Sequence, residues 1–295
     1  MRALLPVFFL SASLGCTRMP NPGAPALSGS LGMPHLGSLT EPAALALEGE
    51  GYRMLRDNDR RYGLPRFVEA LARASRAVHG ARGGAPLLVG DLSAPSGGAI
   101  LPHFSHRNGR DVDLLFYVTT LEGASVPSPG FVHFGADGLG WDEVHGRYLR
   151  LDLEREWLLV RALLLDEDAR VQWIFVSRVV TAMLLEWARA RGEPSLVLER
   201  AQEVMAQPQP GGVHDDHLHV RTACAHEDVL RGCEPTGTQR AWHKSPRAAG
   251  EPVVDGELVL ELLRPVVAPD TPHLPGLRDE PRPSPPESMP VAALE

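Results

Sequence analysis

Two short segments of the chain hold residue types that bind metal ions. Ser105-His106-Arg107-Asn108-Gly109-Arg110-Asp111-Val112-Asp113 sets a histidine and an aspartate seven positions apart across a glycine-containing turn. About a hundred residues later, His214-Asp215-Asp216-His217-Leu218-His219 contains a His-x-His. A hydrolytic zinc needs three protein ligands of imidazole and carboxylate type, and its fourth position goes to water, whose pKa the metal lowers to roughly 7. His106, Asp113, His217 and His219 therefore spell a three-ligand site with a base beside it. A His-x-His suits a strand, because side chains alternate with period two and both imidazoles then share one face. One can bind metal while its neighbour handles protons. A helical site would use His-x-x-x-His, and the chain has none.

Stepping from these residues to their supports, the pattern predicts a mixed α and β domain. Leu64-Pro65-Arg66-Phe67 opens a helix with proline in its first turn, and Phe67, Leu71, Ala74 and Val78 mark its apolar face. Pro86 to Leu92 is a short apolar run consistent with a buried strand. From Asp111 the chain alternates, with Val112, Leu114, Phe116 and Val118 on one face and Asp111 and Asp113 on the other. Residues 127–141 read as a loop, 154–165 as a helix, 171–176 as a strand, and 179–191 as a helix closed by Gly192. A short helix is expected over 196–206 and a strand over 218–222. Strands carry the candidate ligands and helices pack on the far side, an α+β arrangement in a single domain.

Composition narrows the function classes. The chain has 43% apolar and 22% charged residues, ordinary for a globular protein, but its 27 prolines and 29 glycines gather toward the ends. That places a compact domain between Pro-rich, disordered flanks. A net charge of −8 argues against nucleic acid as a partner. Met1-Arg2 followed by the apolar run Leu4 to Leu14 is an export signal, too short for the roughly 20 residues of a membrane span. Ser13-Leu14-Gly15-Cys16 looks like a lipobox, with Cys16 as the lipidated residue, although leucine sits one place closer to the cysteine than usual. Ordinary signal-peptidase cleavage is the alternative. The expected division is 1–16 signal peptide, 17–37 flexible linker, 38–234 catalytic domain and 235–295 Pro-rich tail. Cys224 and Cys233, an even pair in an oxidising compartment, read as a disulfide closing a short loop; free thiols are the alternative.

The combination resembles the penicillin-insensitive murein endopeptidases, a branch of the zinc peptidases that includes lysostaphin-type enzymes, D-Ala-D-Ala carboxypeptidases and the hedgehog signalling domain. Gly51-Tyr52-Arg53-Met54-Leu55-Arg56 with Arg60-Arg61-Tyr62-Gly63 looks like the family's N-terminal signature. Val89 to Gly98 resembles the segment leading into the site, and His217-Leu218-His219-Val220-Arg221 with Cys224 and Cys233 matches the closing strand and cysteine pair. The resemblance implies a hedgehog/D-Ala-D-Ala-peptidase-like fold whose antiparallel sheet carries one Zn2+. It makes His106, Asp113 and His219 the ligands and His217 the catalytic base or transition-state stabiliser. His103 and His214 match family histidines near the metal, and Asp111 and Ser105 match positions that support the ligands. Leu101-Pro102 departs from the family, which tends to glycine there. Each supporting residue also has a plainer reading: Asp111 as a turn cap, His103 as a loop histidine, His214 as a partner within its own turn.

The activity implied is hydrolysis of D-alanyl–diaminopimelyl cross-links in peptidoglycan, in the periplasm, with outer-membrane tethering if Cys16 is lipidated. Resistance to penicillin follows from chemistry, since no Ser-x-x-Lys accompanied by Lys-Thr-Gly provides a serine for a β-lactam to acylate. Two rivals stand beside this reading. A D,D- or L,D-carboxypeptidase would trim stem peptides and would need a cation such as Arg107 or Arg110 for the terminal carboxylate. A non-catalytic, zinc-stabilised wall-binding lipoprotein would have no use for a spare imidazole at His217. Oligomeric state is not legible.

Overall fold

The computed structural model describes residues 26–208 and 212–243. The expected signal peptide, Cys16 and nearly all of the Pro-rich tail lie outside the described residues.

A seven-stranded sheet carries the domain. Its strands are β3 (Glu48–Gly49), β4 (Tyr52–Met54), β5 (Leu87–Val89), β6 (Asp111–Leu115), β9 (Val171–Phe175), β10 (Met205–Ala206) and β11 (His217–Thr222), in the spatial order β10-β9-β11-β6-β5-β4-β3. Before them, β1 (Ser30–Met33) and β2 (Leu36–Leu39) form a separate hairpin. Between β6 and β9, β7 (Leu139–Asp142) and β8 (Arg147–Leu151) form another, inside a four-stranded sheet with 118–119 and 125–126. Among the described residues there are five helices: α1 (Pro65–Arg82), α2 (Leu153–Leu165), α3 (Arg178–Ala190), α4 (Ser195–Val204) and α5 (His226–Leu230).

The α+β class is as expected, but the sheet is mixed rather than antiparallel. The β4–β5 and β9–β10 pairs run parallel. The reason is connectivity: a parallel pair needs a crossover, which α1 supplies between β4 and β5 and α3 with α4 between β9 and β10. Pro65 starts α1 where a missing N–H costs nothing. Its Phe67, Leu71, Ala74 and Val78 are all buried, on the face the sequence pattern marks out. Ser177 caps α3 through its side chain, and Gly192 takes a positive φ of 75° just past the end.

Three expectations about boundaries and loops give way. The segment read as a flexible linker over 17–37 already contains the β1–β2 hairpin, with Ser30 facing Leu39 and Met33 facing Leu36. Its order comes from distant loops that it hydrogen-bonds, which leave no apolar repeat in the segment itself. At the other end the chain continues past 234: the buried Arg240 guanidinium donates to the Gln172 carbonyl oxygen. Residues 127–141, expected as a loop, end in β7.

Alternation sets up the site. On β11, Leu218 and Val220 have no exposed surface, while His217, His219 and Arg221 face the other way. On β6 the same holds for Val112 and Leu114 against Asp111 and Asp113. The register places His219 opposite Asp113, and Arg221 opposite Asp111. The apolar sides join a core with Phe67, Leu71, Trp157 and Ile174. Burying such side chains, at about 25 cal/mol per Å2 of apolar surface, holds the two strands in this register.

Candidate metal centre

Asp113 lies at the middle of the site. Its Oδ1 is 3.3 Å from His106 Nε2, 3.4 Å from His217 Nε2 and 3.5 Å from His219 Nδ1, and Oδ2 is 3.6 Å from His103 Nδ1. The carboxylate is fully enclosed, and neither Asp113 Oδ1 nor His106 Nε2 has a hydrogen-bond partner. A buried polar atom left unpaired costs on the order of 1–3 kcal/mol, so two facing one another need an explanation.

The far nitrogen of each imidazole supplies it. His106 Nδ1 donates to the Leu92 carbonyl oxygen at 2.9 Å, and His219 Nε2 donates to Asp111 Oδ1 at 3.0 Å. His217 Nδ1 donates to Asp216 Oδ1 at 2.6 Å, and His103 Nε2 to Asp91 Oδ2 at 2.9 Å. Each acceptor fixes the hydrogen on the outer nitrogen, so four inner nitrogens turn lone pairs toward one carboxylate. Lone pairs and a carboxylate repel unless a proton or a metal cation sits among them. The donor set of imidazole nitrogen and carboxylate oxygen suits a divalent transition metal, zinc foremost. The residues therefore fit a metal.

Local backbone geometry aims these groups. His106 has a φ of 64°, which a non-glycine residue adopts at a cost, and Asp111 Oδ2 accepts its N–H at 3.2 Å. Gly109 has a φ of 77°, and a Cβ there would lie 2.7 Å from the Leu39 side chain. The β1–β2 hairpin straps the same loop: Arg107 N–H donates to the Pro34 carbonyl, and the Asn108 amide donates to the Gly32 carbonyl.

The electrostatics follow. Burial alone would raise the Asp113 pKa, but His106, His217 and His219 around it hold the carboxyl well below the usual range. Burial pushes His219 down to about 4 despite its bond to Asp111, leaving a neutral imidazole at pH 7. His217 is also penalised by burial, yet Asp113 and Asp216 on either side bring it up to about 9. Burial works against the Asp111 anion too, and Arg221 with His219 holds it far below its ordinary value.

His106, Asp113, His217, His219, His103 and Asp111 thus come together. His214 stands at their edge, its ring 4.9 Å from that of His217, with Nδ1 donating to the Gly212 carbonyl. Ser105 is buried and lines the cleft, with no side-chain hydrogen bond among the described residues. Cys224 and Cys233 form a disulfide just past β11. Arg110, considered for a substrate carboxylate, is fully buried and bonded to Thr222, Gln172 and Glu234, so it is structural. Asp91, Asp216 and Arg221 are the partners that spacing did not single out. Asp91 and Asp216 orient His103 and His217, and an acidic neighbour immediately before His217 was the one available signal.

This constellation of candidate metal-binding side chains on a mixed sheet is of the kind a metallopeptidase uses, and comparison with known proteins gives the family. The family model described as penicillin-insensitive murein endopeptidase matches residues 30–242. The chain belongs to that family. A relative of that name from Haemophilus influenzae is 30% identical over 213 residues, 70% of this chain and 68% of its own length. Another from Salmonella arizonae is 36% identical over 231 residues, covering 75% of this chain and 77% of the relative. A third, from Klebsiella pneumoniae, is 27% identical over 199 residues, 66% of each.

Proposed function

We propose that this chain is a zinc metallopeptidase that hydrolyses the peptide cross-links of peptidoglycan. The observation that carries the reading is the unpaired Asp113 Oδ1 encircled by imidazole nitrogens whose outer sides are anchored. His106, Asp113 and His219 hold one Zn2+, with His103 beside it. The ion, when bound, supplies Lewis acidity toward water and the scissile carbonyl. His217 faces the same space without being needed as a ligand, and either accepts a proton from water or stabilises the charge developing on the carbonyl oxygen. Asp216 keeps its Nδ1 protonated and so presents Nε2 to the reacting atoms. Asp111 instead accepts from His219 Nε2, which keeps that nitrogen protonated and turns Nδ1 toward Asp113 and the ion. Phe131, with its ring edge-on to His217 at 5.3 Å, limits water on that side.

The fold reading extends to the hedgehog/D-Ala-D-Ala-peptidase type, and the substrate to D-alanyl–diaminopimelyl bridges, by family membership. An exported, periplasmic enzyme is consistent with these, with a lipid on Cys16 as the tethered form. No helix among the described residues is long and apolar enough to cross a membrane.

The test is digestion of cross-linked muropeptide dimers by the purified full chain, with and without a chelator. Conversion of dimers to monomers, lost with chelator and regained with added zinc, is the expected result. Release of free D-alanine with no loss of dimer would overturn the endopeptidase reading in favour of a carboxypeptidase.

A further inference from the structure

Beyond the metal-binding residues, the cleft contains a cation that the reaction as described does not use. Arg221 follows His219 by two positions on β11 and so points to the same side. It lines a cavity of about 460 Å3 together with His103, His106, His214, His219 and Phe175. Among the described residues lining that cavity it is the sole arginine or lysine. Its Nε donates to Asp111 Oδ1 at 2.6 Å, the oxygen that also accepts from His219 Nε2. Its guanidinium carbon stands 5.2 Å from the centre of the Phe175 ring. These two contacts fix the plane of the group. The Nη atoms, which make no hydrogen bond among the described residues, remain as a planar fork at a partly exposed wall of the cleft.

A fork of parallel N–H groups matches a carboxylate in two-point geometry. In a bridge between D-alanine and a diamino diacid, the carbon bearing the scissile nitrogen also bears a free carboxylate. Three bonds separate that carboxylate from the scissile carbonyl carbon, a span of about 4 Å at most. Arg221 lies two residues along the strand from His219, and Asp111 links the two through a single oxygen.

We infer that Arg221 is a carboxylate subsite that reads the α-carboxylate of the residue supplying the scissile nitrogen. The inference rests on the peptidase reading above and adds a reason why one amide is chosen over others. It also replaces Arg110, which is sealed within the fold. A terminal D-alanine presents the same carboxylate relation, and the test separates the two sources.

The experiment measures kcat/KM for wild type, Arg221→Ala and Arg221→Lys on two cross-linked dimers: one with the free carboxylate at the bridge and one with it amidated. Bound zinc is quantified in each protein. Wild type should favour the free acid by roughly 10–100-fold, the worth of a charge-assisted pair. Arg221→Ala should lose that factor on the free acid alone, and Arg221→Lys should regain part of it. An Arg221 that acts only through Asp111 on His219 would lower both dimers by the same factor, and that result overturns the subsite. Equal use of both dimers by wild type overturns it too, while leaving the endopeptidase reading intact. If zinc-loaded wild type cleaves neither dimer, the endopeptidase reading itself fails and the dimer subsite fails with it. A stem pentapeptide run alongside extends the subsite to terminal carboxylates if Arg221→Ala loses D-alanine release by the same factor.

Discussion

Asp113 and Glu156 are both carboxylates sealed from water, each with one oxygen that no donor reaches, yet they are held in opposite states of charge. Burial raises the pKa of both. At Glu156 it dominates: a single N–H from Tyr117 opposes it, Asp152 adds to it, Arg155 subtracts little, and the carboxyl rises to about 8. At Asp113 the inner nitrogens of His106, His217 and His219 outweigh burial and keep the anion. Desolvation by itself makes a neutral acid that belongs to the packing. An anion survives in the interior only inside a ring of groups that compensate it, and at Asp113 a divalent cation can take the place of the protons that do so.

The sharpest break in this contrast is Asp113→Asn, which keeps the shape and removes the charge. Bound zinc should disappear from metal analysis and dimer hydrolysis should fall by roughly 1,000-fold or more, while thermal unfolding stays cooperative. Stoichiometric zinc in that variant would refute Asp113 as a ligand. Next comes His217→Ala, expected to lower hydrolysis by roughly 100- to 10,000-fold with zinc still bound. Activity surviving that change would remove His217 from the chemistry.

Glu156→Gln should leave turnover at pH 7 unchanged and act on stability. Because its folded pKa is above the unfolded value of 4.5, the folded state binds the extra proton between pH 4.5 and about 8. The associated stability is complete below that window and is lost as pH rises through it. Wild type should lose on the order of 3–5 kcal/mol across the window, if no other group titrates there. Denaturant unfolding at pH 5 and pH 9 should show the slope reduced in Glu156→Gln, and an unchanged slope would assign the effect to another group.

The parts of this arrangement that repeat locally were legible in the sequence. Alternation along Asp111–Leu115 and His217–Thr222 and the helical spacing of Phe67, Leu71, Ala74 and Val78 are written in consecutive residues, and the structure follows them. The residues proposed to hold zinc stand out in the sequence because few side-chain types bind that metal. What escaped were partners brought in from elsewhere in the chain. Asp91 meets His103 through the turn of the chain between them, and Arg221 meets Asp111 only once β11 pairs with β6. The β1–β2 hairpin has no apolar repeat of its own, since its order comes from Arg107, Asn108 and Cys233. The two parallel pairings depend on crossovers, which no short window reveals.

That hairpin has a consequence for how the protein comes into being. Gly32 bridges to Cys233, next to the disulfide, while the same hairpin ties down the loop that carries His106. The hairpin at the start of the domain therefore joins the segment after β11 to the loop that carries His106. Contacts so distant along the chain are slow to form. The His106 loop gains its full set of supports only once the chain as far as Cys233 has been made.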